Sequence, residues 1–249
     1  MGLLNRQERV ALIPDIHCPY EDKRAVSVAA QIVEAFKPTR VIFIGDFIDA
    51  HWASNFKKNQ ATIPGELERE LSAWESVRKL FPAKQVQVLL GNHERRVQDW
   101  LNEQPALAQW KEMEPSRFWR LGTAQLVKEG FIALARGRFL ITHGKICRKW
   151  SGHSAKAEMS EVWGCSGASG HTHRLGKYYQ RDGTSLRVWM ELGHLSRPRP
   201  HYAAPNEAGP PNWQQGLGLL YIDGDHFHAD DIAITLKYRA MFNGHVYKA

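Results

Sequence analysis

A chain of 249 residues is long enough to close a large hydrophobic core, and 43% hydrophobic against 24% charged residues excludes an intrinsically disordered chain. Lys and Arg outnumber Asp and Glu by 33 to 26, a formal net charge of +7 that suits either a polyanionic partner or simply a soluble basic enzyme. Three cysteines, Cys18, Cys147 and Cys165, lack zinc-finger spacing and argue against a disulfide framework, and no run of about 20 apolar residues exists to span a membrane.

The N-terminal stretch, Met1 to Arg6, has no secretion-type apolar core and carries Arg6 where a myristoylation motif wants Ser or Thr, so a cytoplasmic location is expected. Val10 to Pro14 reads as the first strand and leads into Asp15-Ile16-His17. From Glu21 to Phe36 the apolar residues Ala25, Val28, Ala29, Ile32, Val33 and Phe36 recur at helical spacing, and Pro38 stops the helix. Val41 to Ile44 is then a second strand, parallel to the first across a right-handed crossover, and it delivers Gly45-Asp46-Phe47-Ile48-Asp49. His51 to Pro64 reads as a loop over the same rim. A second helix runs from Glu66 to Leu80, and a third strand from Val86 runs into Gly91-Asn92-His93-Glu94. Its continuous apolar run marks an interior strand of a helix-flanked sheet, and ligands of such sheets gather beyond the carboxyl ends of the strands.

Arg95 to Trp119 reads as helices joined at Pro105 and Pro115. Trp100, Trp110 and Trp119 within it serve either helix packing or a stacking platform for bases. A strand-rich second half begins near Phe131. There Phe139 to Thr142 delivers His143-Gly144, Ser154 to Trp163 is the one expected helix, and Cys165 to Gly170 delivers His171-Thr172-His173. Alternating strands follow at Leu175 to Gln180, Leu186 to Leu192, Leu217 to Ile222 and Ile232 to Leu236, with turns at Asp182-Gly183 and Asp223-Gly224. Between them Ser196 to Trp213, rich in Pro and small residues, is expected to be a surface loop near the rim. No linker divides the chain, so one domain over residues 1–249 is expected.

Five strand ends therefore present Asp, Asn and His to one rim. A lone Asp-x-His or His-x-His is weak evidence, but five such motifs in this order, each in the strand-end context, point to a metal site. Together Asp15-x-His17, Gly45-Asp46-x-x-Asp49, Gly91-Asn92-His93-Glu94, His143-Gly144 and Gly170-His171-Thr172-His173 resemble the signature of the calcineurin-like metallophosphoesterase superfamily. The segment between His143 and Gly170 and the Pro-rich loop after His194 resemble phage- and bacterial-type members.

The resemblance implies a four-layer sandwich of two mixed β-sheets flanked by α-helices, with two divalent metals at the strand ends. It assigns Asp15, His17, Asp46 and His173 to one metal, with Asp46 bridging to a second that Asn92, His143 and His171 also hold. Mixed nitrogen and oxygen donors suit Mn first, with Fe, Zn or Ni as alternatives, rather than Ca. Two such ions bring four positive charges against the negative charges of Asp15, Asp46 and a bridging hydroxide, so the centre favours an anionic phosphate. The resemblance makes His93 the general acid for the leaving group and Asp49 the residue that orients its imidazole; Glu94 is expected to have a structural role. Arg95, Arg96 and Arg174 flank the motifs as either phosphate clamps or ordinary surface arginines. His51 and His194 are near the rim but read more simply as structural histidines.

Where phosphoprotein phosphatases of this superfamily have Asp-Arg-Gly, this chain has Asp49-Ala50-His51. The missing Arg argues against dephosphorylation of proteins. The expectation is a phosphodiesterase acting on nucleic acid or nucleotides, with DNA or RNA as partner. A phosphomonoesterase or pyrophosphohydrolase is the rival, and a non-catalytic nucleic-acid-binding module is the reading from another class.

Overall fold

The computed structural model describes residues 7–54, 65–162, 164–183, 185–198 and 211–249. In chain order these form β1 (Glu8–Ile13), α1 (Lys23–Phe36), β2 (Arg40–Phe43), α2 (Glu66–Arg78), β3 (Gln85–Leu89), α3 (Asn92–Asn102), α4 (Pro105–Ala108), α5 (Pro115–Phe118), β4 (Gln125–Val127), β5 (Phe131–Leu134) and β6 (Phe139–Thr142). Next come α6 (His153–Ser160), β7 (Ser166–Ser169), β8 (Leu175–Asp182), β9 (Ser185–Leu192), β10 (Gln215–Asp223), β11 (His226–Ile234), β12 (Arg239–Phe242) and β13 (His245–Lys248). Part of the expected loop at 51–64 and most of that at 196–213 lie outside the described residues, as do His201 and Trp163.

Two mixed sheets result. The first has the order β11-β10-β1-β2-β3-β4, with β1 to β4 mutually parallel and β10 and β11 antiparallel. The second has the order β5-β6-β7-β9-β8, parallel from β6 through β9 with antiparallel edges. The strand period of two decides what lies on each face of the first sheet. Val10, Leu12 and Ile42 enter the core shared with Ile141, Met190 and Leu192 of the second sheet, while Ala11, Ile13, Val41 and Phe43 join the core under α1, α2 and α3. On the far side Ala155 and Met159 of α6 pack on Trp189. The outcome is helix, sheet, sheet, helix: the four-layer α/β sandwich that the motifs imply.

Local chemistry sets the element ends. Asp22 caps α1 by accepting from Arg24 N at 3.1 Å and Ala25 N at 3.4 Å. Lys37 closes it in the left-handed region at φ 51°, because the residue before Pro38 is disfavoured in the α region. The Asp-Gly turns join β8 to β9 and β10 to β11. α6 ends at Ser160, three residues short of the expectation, and β11 starts at His226 rather than near Ile232. Among the described residues no helix is long and apolar enough to cross a membrane.

Aromatic packing secures the rim of the first sheet. Phe47, between Asp46 and Asp49, is fully buried with its ring 4.4 Å from that of Trp74 and 5.6 Å from that of Trp119. The indole of Trp74 donates to the Trp119 carbonyl at 3.0 Å. Burying such a side chain contributes about 1.5–3 kcal/mol, so the loop after β2 is fastened to the core by the residue between its two carboxylates.

A candidate dinuclear metal centre

The loops after β1, β2, β3, β6 and β7 meet at one rim. Backbone pairing continues past the strand ends: His17 N donates to Asp46 O at 2.9 Å and Cys18 N to Phe47 O at 2.9 Å. Then the chain turns sharply. Asp15, His17, Asp46, His171 and His173 all have positive φ, between 36° and 68°, a region most side chains avoid and in which Asn, Asp and His are enriched. Glycines permit the close approach. A Cβ on Gly91 would lie 2.1 Å from Asp46 Oδ1, and one on Gly170 would lie 2.2 Å from Asp15 Oδ2. The motif glycines are thus spaces into which the carboxylates fit.

Side-chain donor atoms of Asp15, His17, Asp46 and His173 lie within 4.8 Å of one another, and so do those of Asp46, His143 and His171. Asp46 belongs to both groups. Its Oδ2 is 3.8 Å from His17 Nε2 and 3.3 Å from His143 Nε2. His17 Nε2 and His173 Nε2 face each other at 2.9 Å, with Asp15 Oδ1 3.5 Å from the latter. Two imidazole nitrogens at that separation share a single proton or a cation. His173 Nδ1 is buried without a partner, so its ring is held by packing. It stacks on His194 at 5.1 Å and meets the Trp213 ring edge-on at 4.4 Å.

With His143 neutral, the second group is short of protons. His143 Nδ1 is 2.9 Å from the Ile44 carbonyl, which can only accept, so Nδ1 carries a hydrogen and the neutral form of the ring would direct its Nε2 lone pair inward. That nitrogen is 3.0 Å, and His171 Nδ1 is 2.8 Å, from one terminal atom of the Asn92 amide. Asp46 Oδ2 is 3.3 Å from the same atom. An amide nitrogen there has two hydrogens for three acceptors, and an amide oxygen has none. A cation accepting all four lone pairs resolves the count, and the donor set of imidazoles, carboxylates and one amide fits a divalent transition metal.

Electrostatics point the same way. Burial opposes charge on His17 and His143, yet the surrounding carboxylates outweigh it. Asp49 and Asp46 raise His17 to about 9, and Asp46 with Asp15 and Glu94 raises His143 to about 10. Burial would raise Asp46, but the facing His143, His93 and His17 hold it well below the usual carboxylate range. Burial lowers His171 and His173. The carboxylates demand positive charge, and protons supply it where a metal would.

Glu94 is fully buried and ties the loops together. Its Oε2 accepts from Asp46 N at 2.9 Å and Gly91 N at 2.8 Å, and its Oε1 accepts from Ile48 N at 3.0 Å. The structural role expected of it is the one these bonds describe.

His93 reaches the centre from the first turn of α3, its Nε2 3.7 Å from Asp46 Oδ2. Its Nδ1 meets the backbone carbonyl of Asp49, and its backbone N–H donates to Asp46 Oδ1 at 3.0 Å. The resemblance gives the Asp49 carboxylate to His93; Asp49 Oδ1 lies 3.1 Å from His17 Nδ1, and a carboxylate oxygen of Asp49 and a ring nitrogen of each of His17 and His93 lie within 4.8 Å of one another. Asp49 therefore meets His93 through its main-chain carbonyl and sets its carboxylate beside both His17 and His93.

Beside His143, His171 and Asn92 opens a cavity of about 490 Å³ whose lining includes Arg95, Lys145, Glu158 and Trp189. Arg95 is thus at the rim. The Arg174 guanidinium donates to Arg148 O and approaches Cys147 Sγ at 3.5 Å. Arg96 has a guanidinium nitrogen 3.0 Å from the Asn92 amide. Lys145 and Glu158 were not singled out by sequence. Glu158 Oε1 accepts from Lys145 N and Ile146 N at 2.7 Å each, fixing the loop after His143 from α6. No local spacing betrays that pairing. His194 did have a signal, Leu192-Gly193-His194 repeating the strand, glycine, polar order of the other motifs.

A family model described as calcineurin-like phosphoesterase matches residues 8–246. The Gene 54 protein of Mycobacterium phage D29 is 28% identical over 260 residues, covering 97% of this chain and 99% of that protein. The Gene 54 protein of Mycobacterium phage L5 is 27% identical over 248 residues, covering 92% and 94%. Among solved structures, Vps29 of Chaetomium thermophilum is similar with a TM-score of 0.51 and 9% identity, over 97% of this chain and 95% of that one. At that identity the likeness concerns the fold alone.

Proposed function

The chain belongs to the calcineurin-like phosphoesterase family, whose members are metal-dependent hydrolases of phosphate esters, and from that premise we propose that it is a two-metal phosphodiesterase acting on nucleic acid or nucleotides. The observation that carries the proposal is the position of Asp46, whose carboxylate is common to the Asp15, His17, His173 group and the His143, His171 group, with Asn92 beside the second. Mn is the metal proposed first. When bound, two such ions supply a water of lowered pKa and neutralise the phosphoryl oxygens.

The chain's own residues do the rest. Asn92, His143 and His171 orient one side of the centre and Arg95 flanks the cavity that opens from it. His93 is the group that hands a proton to the leaving oxygen. The Asp49 carbonyl fixes its Nδ1, leaving Nε2 turned to the centre. In the metal-free chain burial holds this imidazole down at about 4, against the pull of Asp46, and an anionic phosphate beside it would favour its protonated form. Protonation of His93 is thereby coupled to substrate binding.

A diester is favoured over a monoester because Ala50 and His51 stand where an arginine would grip a terminal phosphate dianion, and the formal charge of +7 suits a polyanion. The test is hydrolysis of bis(para-nitrophenyl) phosphate against para-nitrophenyl phosphate with Mn. A strong preference for the monoester overturns the diester assignment. Absence of turnover with every divalent metal, alongside retained nucleic-acid binding, returns the reading to a binding module.

A further inference from the structure

The polar helix α3 carries one large aromatic side chain that its own packing does not use. Trp100 is 48% exposed, whereas the core face of α3 is made by Val97 and Leu101. An isolated exposed aromatic is unremarkable. Its position is the informative part. Seven residues separate Trp100 from His93, which on an α-helix places the two about 10 Å apart along the axis and within about 20° of the same face. Helical side chains lean toward the N-terminus, so the indole is directed back toward the centre. Arg96 lies between them, next to the Asn92 amide, and its charge acts on His93. Asp99, the acidic neighbour, falls about 100° round the helix from Trp100.

A second aromatic bounds the track. The ring of Trp52 stands perpendicular to that of Trp100, centroids 6.4 Å apart, and its indole N–H donates to Glu70 Oε2 at 3.1 Å. Glu70 also accepts from Ala50 N at 3.0 Å, so this wall is fixed to the loop that carries Asp49. From the centre outward the order is imidazole, guanidinium, indole.

We propose that the His93, Arg96, Trp100 face of α3 is the leaving-group subsite for a nucleic-acid strand. Arg96 receives a phosphate next to the scissile one, and Trp100 stacks a base. The inference rests on the phosphodiesterase reading and deepens it, since His93 is the acid for that same leaving side. A phosphomonoester of a small alcohol is too short to extend along α3 to a residue two turns, about 10 Å of helix, beyond the acid. A polynucleotide spans the distance and offers both an anion and a π-face at the required places.

The experiment compares wild type with Trp100→Ala and Trp100→Phe on oligothymidylate, on an abasic oligonucleotide of equal length, and on bis(para-nitrophenyl) phosphate. Stacking of one base predicts a KM for oligothymidylate about 5- to 150-fold higher in Trp100→Ala, with most of it recovered in Trp100→Phe. The abasic strand and the small diester should be cleaved equally by all three proteins. Binding of fluorescein-labelled oligothymidylate to metal-free protein, read by anisotropy, should weaken in the same order. Equal losses on the abasic strand, or no loss on oligothymidylate, overturn the subsite. If wild type cleaves monoesters and no diester, the phosphodiesterase reading fails while the anisotropy series still reports whether Trp100 stacks a base.

Discussion

Replacing Glu94 tests whether the centre is held by its loops or only by its ligands. Three buried backbone N–H groups, those of Asp46, Ile48 and Gly91, converge on its two oxygens. Glu94→Gln keeps one acceptor oxygen, which can serve the Asp46 and Gly91 pair, and turns an NH2 toward Ile48 N. One bond is lost. Glu94→Ala strands all three donors. An orphaned buried N–H costs about 1–3 kcal/mol, so the expected losses are about 1–3 kcal/mol for Gln and roughly 3–9 kcal/mol for Ala. The larger figure is comparable to the whole stability of a typical domain, about 5–15 kcal/mol. Urea unfolding of the metal-free proteins gives the two losses directly, and elemental analysis after dialysis against Mn gives the metal retained. The Gln variant should be folded, with a Tm lower by about 2–4 °C for each kcal/mol lost and metal content near wild type. The Ala variant should hold little metal or fail to fold. An Ala variant as stable as Gln, with full metal content, would refute the reasoning.

Asp46→Ala should abolish metal binding and hydrolysis together, whereas His93→Ala should leave two metals bound and lower turnover by about 100- to 10,000-fold. Metal analysis beside kcat separates these cases, and a metal-free His93→Ala protein would contradict the division of roles. His17 and His143 are raised from 6.5 to about 9 and about 10 by the carboxylates around them, against burial. Their contribution to the stability of metal-free protein is complete below about pH 6.5 and is lost as pH rises through those values. A metal must displace the same protons, so the rise in Tm on adding Mn should be larger at pH 8.5 than at pH 6; a rise that shrinks with pH would be the contrary result. Glu70 is raised to about 8, chiefly by burial. Its protonated form therefore favours the fold below about pH 4.5, and that contribution declines as pH approaches 8. Glu70→Gln should flatten this decline, so that the stability of wild type minus that of the variant falls between pH 5 and pH 8.5.

The strands that feed the rim were legible because each joins a period or run of apolar residues to a glycine and a polar side chain, as at Leu90-Gly91-Asn92. The candidate ligands could be named because their motifs are local. What escaped is long-range. Glu158 and Glu191 are buried acids whose partners, Lys145 and Ile146 for one and Thr172 and Gly152 for the other, lie in distant sequence. That the Asp49 carboxylate also hydrogen-bonds His17 was not legible, because side-chain rotation after a strand end has no sequence periodicity. The β12–β13 hairpin had a signal, Asn243-Gly244 between two short segments. Only Ala240 and Phe242 of its alternate residues are buried, which leaves the pattern faint. The tryptophans divided: Trp119 is core, and Trp100 is half in water.

The left-handed backbone at Asp15, His17, Asp46, His171 and His173 restricts how this scaffold can drift. Asp, Asn and His are enriched in this conformation relative to most side chains, and they are also the oxygen and nitrogen donors that suit an intermediate cation. An exchange within that trio alters charge and metal preference while the chain still folds. A β-branched replacement is refused by the main chain before any ion is encountered. The main chain thus narrows what can replace these five residues before any ligand chemistry is considered.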